Sequence, residues 1–368
     1  MRRMMKEKEF LFQLSRINAD YLYLSNSLKD DLDWHEIVGQ LALSRLSGLA
    51  FFHLNMLSNK EKAAIPRNVL FTINRIYEAQ KLRTLSMQVY QKEVSNLLQQ
   101  NLIKHVFLKG AILGNVMFPI GTRSSNDIDI LISTQNISCV EKLLNENGYT
   151  QGDFDIKTRS IVPLSRREKI FRRMNWGEVA PCRKIADLPA LDYITIDINF
   201  SFDWLPSGTE EVVNELLDSS IEYIIDEQFS LISLDKESFL MHLCMHLYKE
   251  CVLLSMVKQK QDFALYKYAD IYNYILMNGI DYGKLYKLIE RYELQKGCYL
   301  AFYFTLQLFS DLEGNEQLIN FLKKIKPSNT EYLDIVIDPP TGRRFKWDIP
   351  LIDRVFMHNR RNYLIEIK

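Results

Sequence analysis

The most constraining stretch of the sequence is residues 108–133, LKGAILGNVMFPIGTRSSNDIDILIS, in which two aspartates interrupt a strongly apolar segment. Asp127 and Asp129 alternate with Ile128 and Ile130, and alternate residues of a β-strand point to the same face. The pattern therefore predicts a strand with isoleucines on its core face and two carboxylates on the other face. Because an unpaired buried carboxylate is costly, the fold must supply a partner for these acids.

A divalent cation is one partner that suits two carboxylates on one face. Two such groups repel each other unless one is protonated or a dication lies between them. Mg²⁺ binds carboxylates together with substrate phosphates, so Asp127 and Asp129 point to a phosphate-bearing ligand. Asp197, in the segment YITIDINF, is likewise framed by isoleucines. If the two strands are neighbours, all three acids share one edge of a sheet and form a two-metal site.

A purely structural explanation covers part of the same pattern. In this alternative Asp127 caps the turn before the strand, and Asp129 pairs with Arg123. The alternative accounts for two of the acids and leaves Asp197 unexplained.

A glycine turn precedes the acids. The segment HVFLKG (105–110) is a strand candidate that ends at Gly110, and a helix is expected from Ala111. Helix N-termini offer free N–H groups to phosphate, and glycine permits close approach of the backbone. Lys109 and Arg123 would add charge-assisted contacts to a triphosphate.

The hydrophobic pattern divides the chain into four regions. Helical periodicity dominates residues 1–101, strand-like segments alternate with short helices over 102–232, and helical periodicity returns over 233–326. Residues 327–368 are expected to form an irregular tail with a hairpin that packs on the core. The predicted fold class is α+β, with a small mixed β-sheet core flanked by N-terminal and C-terminal helical regions. The expected strands are 105–110, 128–133, 175–182 and 192–200.

Charge and cysteine usage narrow the classes of partner. The 46 basic and 46 acidic residues give a net charge of zero, which argues against a general nucleic-acid or membrane binder but leaves local patches open. The longest runs without Asp, Glu, Lys or Arg are 14 residues, shorter than the roughly 20 apolar residues of a spanning helix. Five scattered cysteines without a CxxC pair predict reduced thiols. We expect a cytoplasmic protein without a membrane partner.

The glycine turn, the Asp-Ile-Asp strand and the later acid strand, in this order, resemble the DNA-polymerase-beta-like nucleotidyltransferase superfamily. More closely, the segments FLKGAIL, GTRSSNDIDILI, ITIDINF and FLMHLCMH are similar to the bacterial family of uncharacterised nucleotidyltransferases, over about residues 34–278. In that family a Leu-Lys-Gly turn and an arginine precede Asp-Ile-Asp-Leu, and helices lie on both sides of the core. Two positions depart from the usual patterns: Ala111 replaces the serine of a Gly-Ser turn, and Asn199 stands where Asp-x-His is frequent.

The resemblance implies a metal-dependent nucleotidyltransferase. Such an enzyme transfers a nucleoside monophosphate from a nucleoside triphosphate, ATP or another, to a hydroxyl of a small-molecule, peptide or protein acceptor. The implied cofactor is Mg²⁺, as two ions, with Mn²⁺ as an alternative. Three carboxylates are implied to be catalytic and to hold the metal: Asp127, Asp129 and Asp197. Three residues are implied to bind the nucleotide phosphates: Lys109, Gly110 and Arg123.

Two other functions stay open at this point. In the first, the chain is a non-catalytic nucleotide-binding or scaffold module. In the second, it modifies RNA ends. The absence of the turn serine at Ala111 favours the first alternative, and the zero net charge argues against the second.

Three further patterns carry weaker signals. His242 and His246 lie four residues apart on one helix face, as two zinc ligands would, but no third ligand is visible and a core or capping role is preferred. Residues 157–173 hold seven basic residues and one acid, which suits either a patch for a triphosphate or polyanionic acceptor, or a solvated face. The segment DPPTGRRF predicts a hairpin turn.

Overall fold

The chain divides into two compact units. The computed structural model describes residues 2–203, 210–227 and 229–367. One unit is Arg45–Asp235, and the other combines Met1–Ser44 with Lys236–Lys368. The four regions expected from the sequence stay a prediction, because compactness alone does not show which segments fold independently. No helix in these described ranges is both long enough and apolar enough to cross a bilayer.

Helices dominate both ends of the chain, and a long helix precedes the strand-rich centre. The helices are α1 (Arg2–Leu14), α2 (Tyr21–Ser27), α3 (Trp34–Leu43), α4 (Ser47–Met56), α5 (Asn59–Lys62), α6 (Arg67–Gln100), α7 (Gly110–Ile112), α8 (Ile137–Glu146), α9 (Arg166–Trp176), α10 (Glu210–Asp218), α11 (Lys236–Val252), α12 (Leu254–Lys258), α13 (Leu265–Asn278), α14 (Tyr282–Arg291), α15 (Gln295–Leu308), α16 (Glu316–Ile325) and α17 (Leu351–Phe356). A π-helical turn spans Leu113–Met117, and 3₁₀ turns span Thr134–Asn136, Ser310–Gly314, Glu331–Asp334 and Arg360–Tyr363.

The strands form one large sheet and one small sheet within the described residues. They are β1 (His105–Phe107), β2 (Ile128–Ile132), β3 (Thr150–Asp155), β4 (Ser160–Pro163), β5 (Cys182–Leu188), β6 (Leu191–Asn199), β7 (Ile221–Asp226), β8 (Phe229–Ser233), β9 (Ile335–Asp338), β10 (Arg343–Trp347) and β11 (Leu364–Ile367). The large sheet has eight described strands in the order β4-β3-β5-β6-β2-β1-β8-β7. Its β2–β6 and β1–β8 pairs are parallel and the others antiparallel.

The mixed character of the sheet was predicted correctly, but its predicted small size is wrong. The hairpins β3–β4 and β7–β8 add strands at the two sides of the expected core. The strand expected over 175–182 is also wrong. Helix α9 runs to Trp176, Gly177 ends it in the left-handed conformation, and β5 begins only at Cys182. Between them, Glu178 forms a single β-bridge with Asn199.

Strand β2 lies in the interior of the large sheet, between β6 and β1. All five of its residues are buried, so any charge placed on it must be balanced inside the protein. The long helix α6 follows Pro66, whose fixed φ suits the start of a helix. Its buried residues recur at helical spacing, and the helix contacts β6 and β8. Strand β6, which carries Asp197, therefore packs against α6.

The unit formed by the two chain ends is organised around α11. His242 of this helix is buried, and its ring stacks on that of His246 with a centroid distance of 6.5 Å, which agrees with the preferred core role. Strands β9, β10 and β11 form the small antiparallel sheet. The predicted hairpin is confirmed as the β9–β10 connection, where Gly342 adopts a φ of 68°.

Candidate functional site

Two of the three acids lie side by side on neighbouring strands. Strands β2 and β6 run parallel, and Asp129 is in register with Asp197. Residues in register on adjacent strands point to the same face, so both carboxylates lie on one face of the sheet. The preceding register pair, Ile128 and Ile196, is fully buried. Strand pairing thus brings together two acids that are far apart in the sequence.

Lys109 provides a salt bridge to the first of these acids. Its ammonium Nζ lies 2.7 Å from Asp129 Oδ1, and Asp129 is only 4% exposed. The backbone of Lys109 has φ 44° and ψ −118°, a conformation that residues other than glycine rarely adopt. The alternative in which Asp129 pairs with Arg123 is wrong, because Lys109 holds Asp129 while Arg123 Nη1 donates to the carbonyl of Ser124.

Burial and mutual repulsion both disfavour the charged forms of these acids. Burial raises the pKa of Asp129 to about 6, although Lys109 opposes the shift, and Asp127 adds to it. Burial and the charges of Asp127 and Asp129 raise the pKa of Asp197 well above its usual value. Burial lowers the pKa of Lys109, but the charges of Asp129 and Asp127 outweigh burial and raise it overall. Lys109 therefore offsets only part of the repulsion among the carboxylates.

A fourth carboxylate, which the sequence analysis missed, joins this cluster. Glu178 follows the end of α9, and its backbone bridges to Asn199, two residues beyond Asp197. Its charge contributes to the raised pKa of both Asp129 and Asp197, after burial and the other aspartates. A glycine at the end of a helix followed by a lone acid is the only sequence signal for Glu178, and it is a weak one.

The glycine turn packs directly against the loop that carries the first aspartate. A Cβ atom at Gly110 would lie 2.5 Å from Ser125 Oγ and 2.8 Å from Ser125 Cβ. Ser125 Oγ in turn donates to the backbone carbonyl of Asp127 at 2.9 Å and lies 3.4 Å from its carboxylate. Helix α7, which begins at Gly110, has only three residues before the π-helical turn. The expected helix is thus confirmed as a short one, and Ser125 is a hydroxyl beside the turn that the sequence analysis missed.

A small cleft lies next to this turn. Its lining includes Gly110, Ser125 and the predicted phosphate ligand Arg123, together with Arg83 and Gln91 from α6. Arg83 Nε donates to the carbonyl of Ser125 at 3.0 Å, and burial lowers the pKa of Arg83 while Asp127 opposes that shift. The sequence analysis missed Arg83, because in the sequence it is one of many basic residues on a long helix.

The donor chemistry of the acid cluster suits Mg²⁺. Mg²⁺ takes oxygen ligands, and a cation among the acids would relieve the repulsion that, together with burial, raises the pKa of Asp197. As they stand, no three or more His, Cys, Asp or Glu side chains of the described ranges are arranged to hold a metal ion, and Lys109 binds Asp129. The fit to Mg²⁺ therefore rests on oxygen ligands and charge, and metal binding stays a prediction.

The basic segment 157–173 lies at the outer side of the sheet. It starts in the β3–β4 hairpin, continues through the edge strand β4 and ends in α9. Arg159 forms a salt bridge with Asp192 of β6. The segment therefore joins the sheet edge to Glu178 through the last turn of α9.

Comparison with known proteins adds one match. A family model described as "Uncharacterised nucleotidyltransferase" matches residues 30–310, about three quarters of the chain. The matched range contains β1, β2 and β6, together with both strands' aspartates and the glycine turn. No curated protein matches the sequence.

Proposed function

The chain belongs to the family of uncharacterised nucleotidyltransferases, and from this premise we propose that it transfers a nucleoside monophosphate from a nucleoside triphosphate to an acceptor hydroxyl. The observation that carries the proposal is the register of Asp129 with Asp197 on adjacent parallel strands. Buried carboxylates in that arrangement are costly unless they bind a cation. A Mg²⁺–triphosphate complex supplies such a cation and is the substrate form that this chemistry requires.

Residues of the chain account for the remaining requirements of the reaction. The acceptor oxygen forms a bond to the α-phosphorus, and the bond from that phosphorus to the pyrophosphate oxygen breaks. The acceptor proton passes to Asp197 as general base. Bound Mg²⁺ would neutralise the triphosphate and lower the pKa of the acceptor hydroxyl. Asp127 and Asp129 would hold one ion, and these two residues with Asp197 would hold the second.

The phosphates would be oriented by the turn and the cleft beside it. Lys109 and Arg123 would bind phosphate oxygens through charge-assisted hydrogen bonds. Ser125 packs against Gly110, and its hydroxyl, which donates to the Asp127 carbonyl in this structure, would turn to the same phosphates. In this proposal Ser125 supplies the hydroxyl that Ala111 lacks, and the departure from the Gly-Ser pattern does not remove activity.

Binding of Mg-ATP and Mg-GTP, measured by calorimetry, tests the site. We expect Asp129→Asn and Asp197→Asn to weaken the binding of the preferred nucleotide by roughly tenfold or more, because each removes a ligand charge. Asp153→Asn is a matched control, since Asp153 is an exposed acid of the same sheet that pairs with Arg183. This control should bind nucleotide as the wild type does.

Two outcomes would count against the proposal. Equal binding by the wild type and Asp129→Asn would mean that the site is assigned wrongly. Binding without pyrophosphate release, across small-molecule, peptide and protein acceptors, would favour the non-catalytic nucleotide-binding module instead.

A further inference from the structure

An outer segment of the large sheet, residues 156–174, exposes an unusual amount of apolar surface. It comprises the turn of the β3–β4 hairpin, the edge strand β4 and most of α9. Its exposed apolar side chains, which are between 46% and 80% accessible, are Ile156, Val162, Ile170, Phe171 and Met174. Exposed apolar side chains that cluster in one segment, rather than scattering singly, mark interaction sites in soluble proteins.

Helix α9 is capped at both ends, and its described side chains are not buried. Ser165 and Glu168 form a capping box at its start, and Gly177 ends it in the left-handed conformation. None of the side chains described between Arg166 and Met174 is buried. Most protein helices are stabilised by packing an apolar face, whereas α9 leaves Ile170, Phe171 and Met174 between 46% and 69% exposed.

The exposed apolar residues of α9 share one face with arginines. Ile170, Phe171 and Met174 follow one another at the i, i+1, i+4 spacing of a single helix face. Arg167 precedes Ile170 by three residues and Phe171 by four, so it lies within the same arc. The face therefore combines apolar contacts with a positive charge in its middle.

The charge of the outer segment is strongly one-sided. Residues 157–173 contain seven Lys or Arg residues and a single Glu, which gives this segment a net charge of +6 in a chain whose net charge is zero. Within the described residues, no salt bridge engages four of these arginines: Arg166, Arg167, Arg172 and Arg173. A complementary partner is therefore acidic and carries apolar side chains between its acids.

The outer segment is anchored to the strand that carries Asp197. The Phe200 N–H donates to the carbonyl of Gly177 at 3.1 Å, and the Val179 N–H donates to the carbonyl of Ile198 at 2.9 Å. A side chain at Gly177 would lie 2.7 Å from Ser201 Cβ, so the two backbones are in close contact. A molecule bound along α9 is thus held beside the end of β6 and next to Glu178.

We propose that the outer segment is the docking surface for the acceptor, and that this acceptor is an acidic polypeptide segment with interspersed apolar side chains. This inference rests on the proposed function. A Ser, Thr or Tyr hydroxyl of the docked segment forms the new bond to the α-phosphorus, pyrophosphate leaves, and the hydroxyl proton passes to a carboxylate of the site.

The chemistry of the face favours a polypeptide over the two other polyanionic classes. Ile170 and Met174 are aliphatic, and Phe171 is a single aromatic ring among the exposed apolar residues named above, so the face does not offer successive aromatic surfaces on which nucleic-acid bases could stack. Arg167 lies inside the apolar arc, which prevents the face from entering a lipid surface as one continuous apolar stripe. Acidic and apolar side chains alternating along a polypeptide match both features.

Binding of a fluorescein-labelled random glutamate–tyrosine copolymer, followed by fluorescence anisotropy, tests the docking surface. This probe is acidic, carries aromatic side chains and presents phenolic hydroxyls. We expect Arg166→Glu/Arg173→Glu and Ile170→Ser/Met174→Ser each to weaken binding by roughly tenfold or more. The loss in the charge variant should shrink as salt is raised, and the loss in the apolar variant should persist.

A charge-matched control separates local from general electrostatics. Lys323→Glu/Lys324→Glu changes the net charge by the same amount on exposed positions of α16, and it should bind the copolymer as the wild type does. All substituted residues are exposed, and circular dichroism melts would verify that each variant is folded. Wild-type protein that does not bind the copolymer, or that binds a lysine–tyrosine copolymer equally well, overturns the proposal. Preference for poly(U) or for phosphatidylglycerol vesicles over the copolymer also overturns it.

Separate measurements can reject the proposed docking surface and the proposed reaction independently of each other. Copolymer binding is measured without nucleotide or Mg²⁺, so Asp129→Asn should bind the copolymer normally while it loses Mg-nucleotide. With α-phosphate-labelled nucleotide, the wild type should label the copolymer. Arg166→Glu/Arg173→Glu should bind nucleotide but lose this labelling. Normal copolymer binding without any labelling would leave the docking surface standing and remove the transfer reaction.

Discussion

The backbone of Lys109 is strained at the point where its side chain meets the acid cluster. Its φ of 44° and ψ of −118° suit glycine, yet a lysine stands there and its Nζ reaches Asp129 at 2.7 Å. Strain of this kind costs on the order of 1–3 kcal/mol and persists where the surroundings demand it. The strained backbone of Lys109 therefore holds the ammonium group in place beside Asp129.

Two substitutions at this position separate the charge from the strain. In the presence of EDTA, Lys109→Met should lower the free energy of unfolding by about 3 kcal/mol, because Asp129 is left buried without its cation. Lys109→Gly removes the same ammonium but relieves the backbone, so it should be more stable than Lys109→Met by about 1 kcal/mol. Urea denaturation of both variants gives the comparison. Equal stability of the two would show that the turn is not strained.

Some residues of the candidate site could be predicted from the sequence, and others could not. Asp127, Asp129 and Asp197 were singled out because acid–isoleucine alternation is a local pattern that strand geometry translates directly into a shared face. Glu178 and Arg83 were missed, because each reaches the site through a contact with a distant segment. Glu178 bridges to Asn199, and Arg83 donates to the carbonyl of Ser125. No local pattern encodes either contact.

The glycine turn and the loop before β2 form one packed element. Gly110 has no side chain at the place that Ser125 fills, so the two segments are closer than any other residue at 110 would allow. Gly114, four residues further on, has no such neighbour: a Cβ there would meet only the Arg123 carbonyl, at 3.7 Å. The two glycines thus have different structural roles.

Alanine substitutions should distinguish these roles. Gly110→Ala should lower the free energy of unfolding by roughly 1–3 kcal/mol through overpacking against Ser125, whereas Gly114→Ala should be tolerated. Adding Ser125→Gly to Gly110→Ala should recover part of the loss, because it removes both close contacts. Thermal denaturation of the three variants measures the effect. A loss in Gly110→Ala that Ser125→Gly leaves unchanged would contradict the packing explanation.

Elements with buried apolar runs were predictable, and exposed ones were not. Strand β2 is buried at all five positions and β6 has isoleucines at alternate positions, which are strong local signals. Strands β4 and β7 lie at the two ends of the sheet and are largely exposed. Without a buried face they lack a regular apolar pattern, and the sheet was consequently expected to be smaller than it is.

The unit that joins the two chain ends contains a fully buried carboxylate held by the C-terminal segment. Asp262 is 0% exposed, and Arg360 and Arg361 bind its two carboxylate oxygens at 3.0 and 2.8 Å. A buried ion pair adds little net stability, but removing its cations leaves a charge without compensation. The last residues of the chain thus control a charge in the interior of this unit.

Substitution of both Arg360 and Arg361 should strongly lower the stability of the folded protein. Arg360→Ala/Arg361→Ala should lower the free energy of unfolding by about 3–5 kcal/mol, and adding Asp262→Asn should restore a substantial part of it. Arg343→Ala breaks an exposed pair with Glu366 and should change stability little. Chemical denaturation measures all three. Failure of Asp262→Asn to recover stability would show that the arginines act through packing and not through charge.

The placement of Arg45–Asp235 between the two parts of the other unit has a consequence for the nascent chain. Ser15 and Ile17 precede the inserted unit in the sequence but pair with Asn273, which follows it and is translated later. The inserted unit is continuous in sequence, so none of its internal contacts depends on residues translated after Asp235. The segment that carries Ser15 and Ile17 therefore completes these contacts only after Asn273 has been translated.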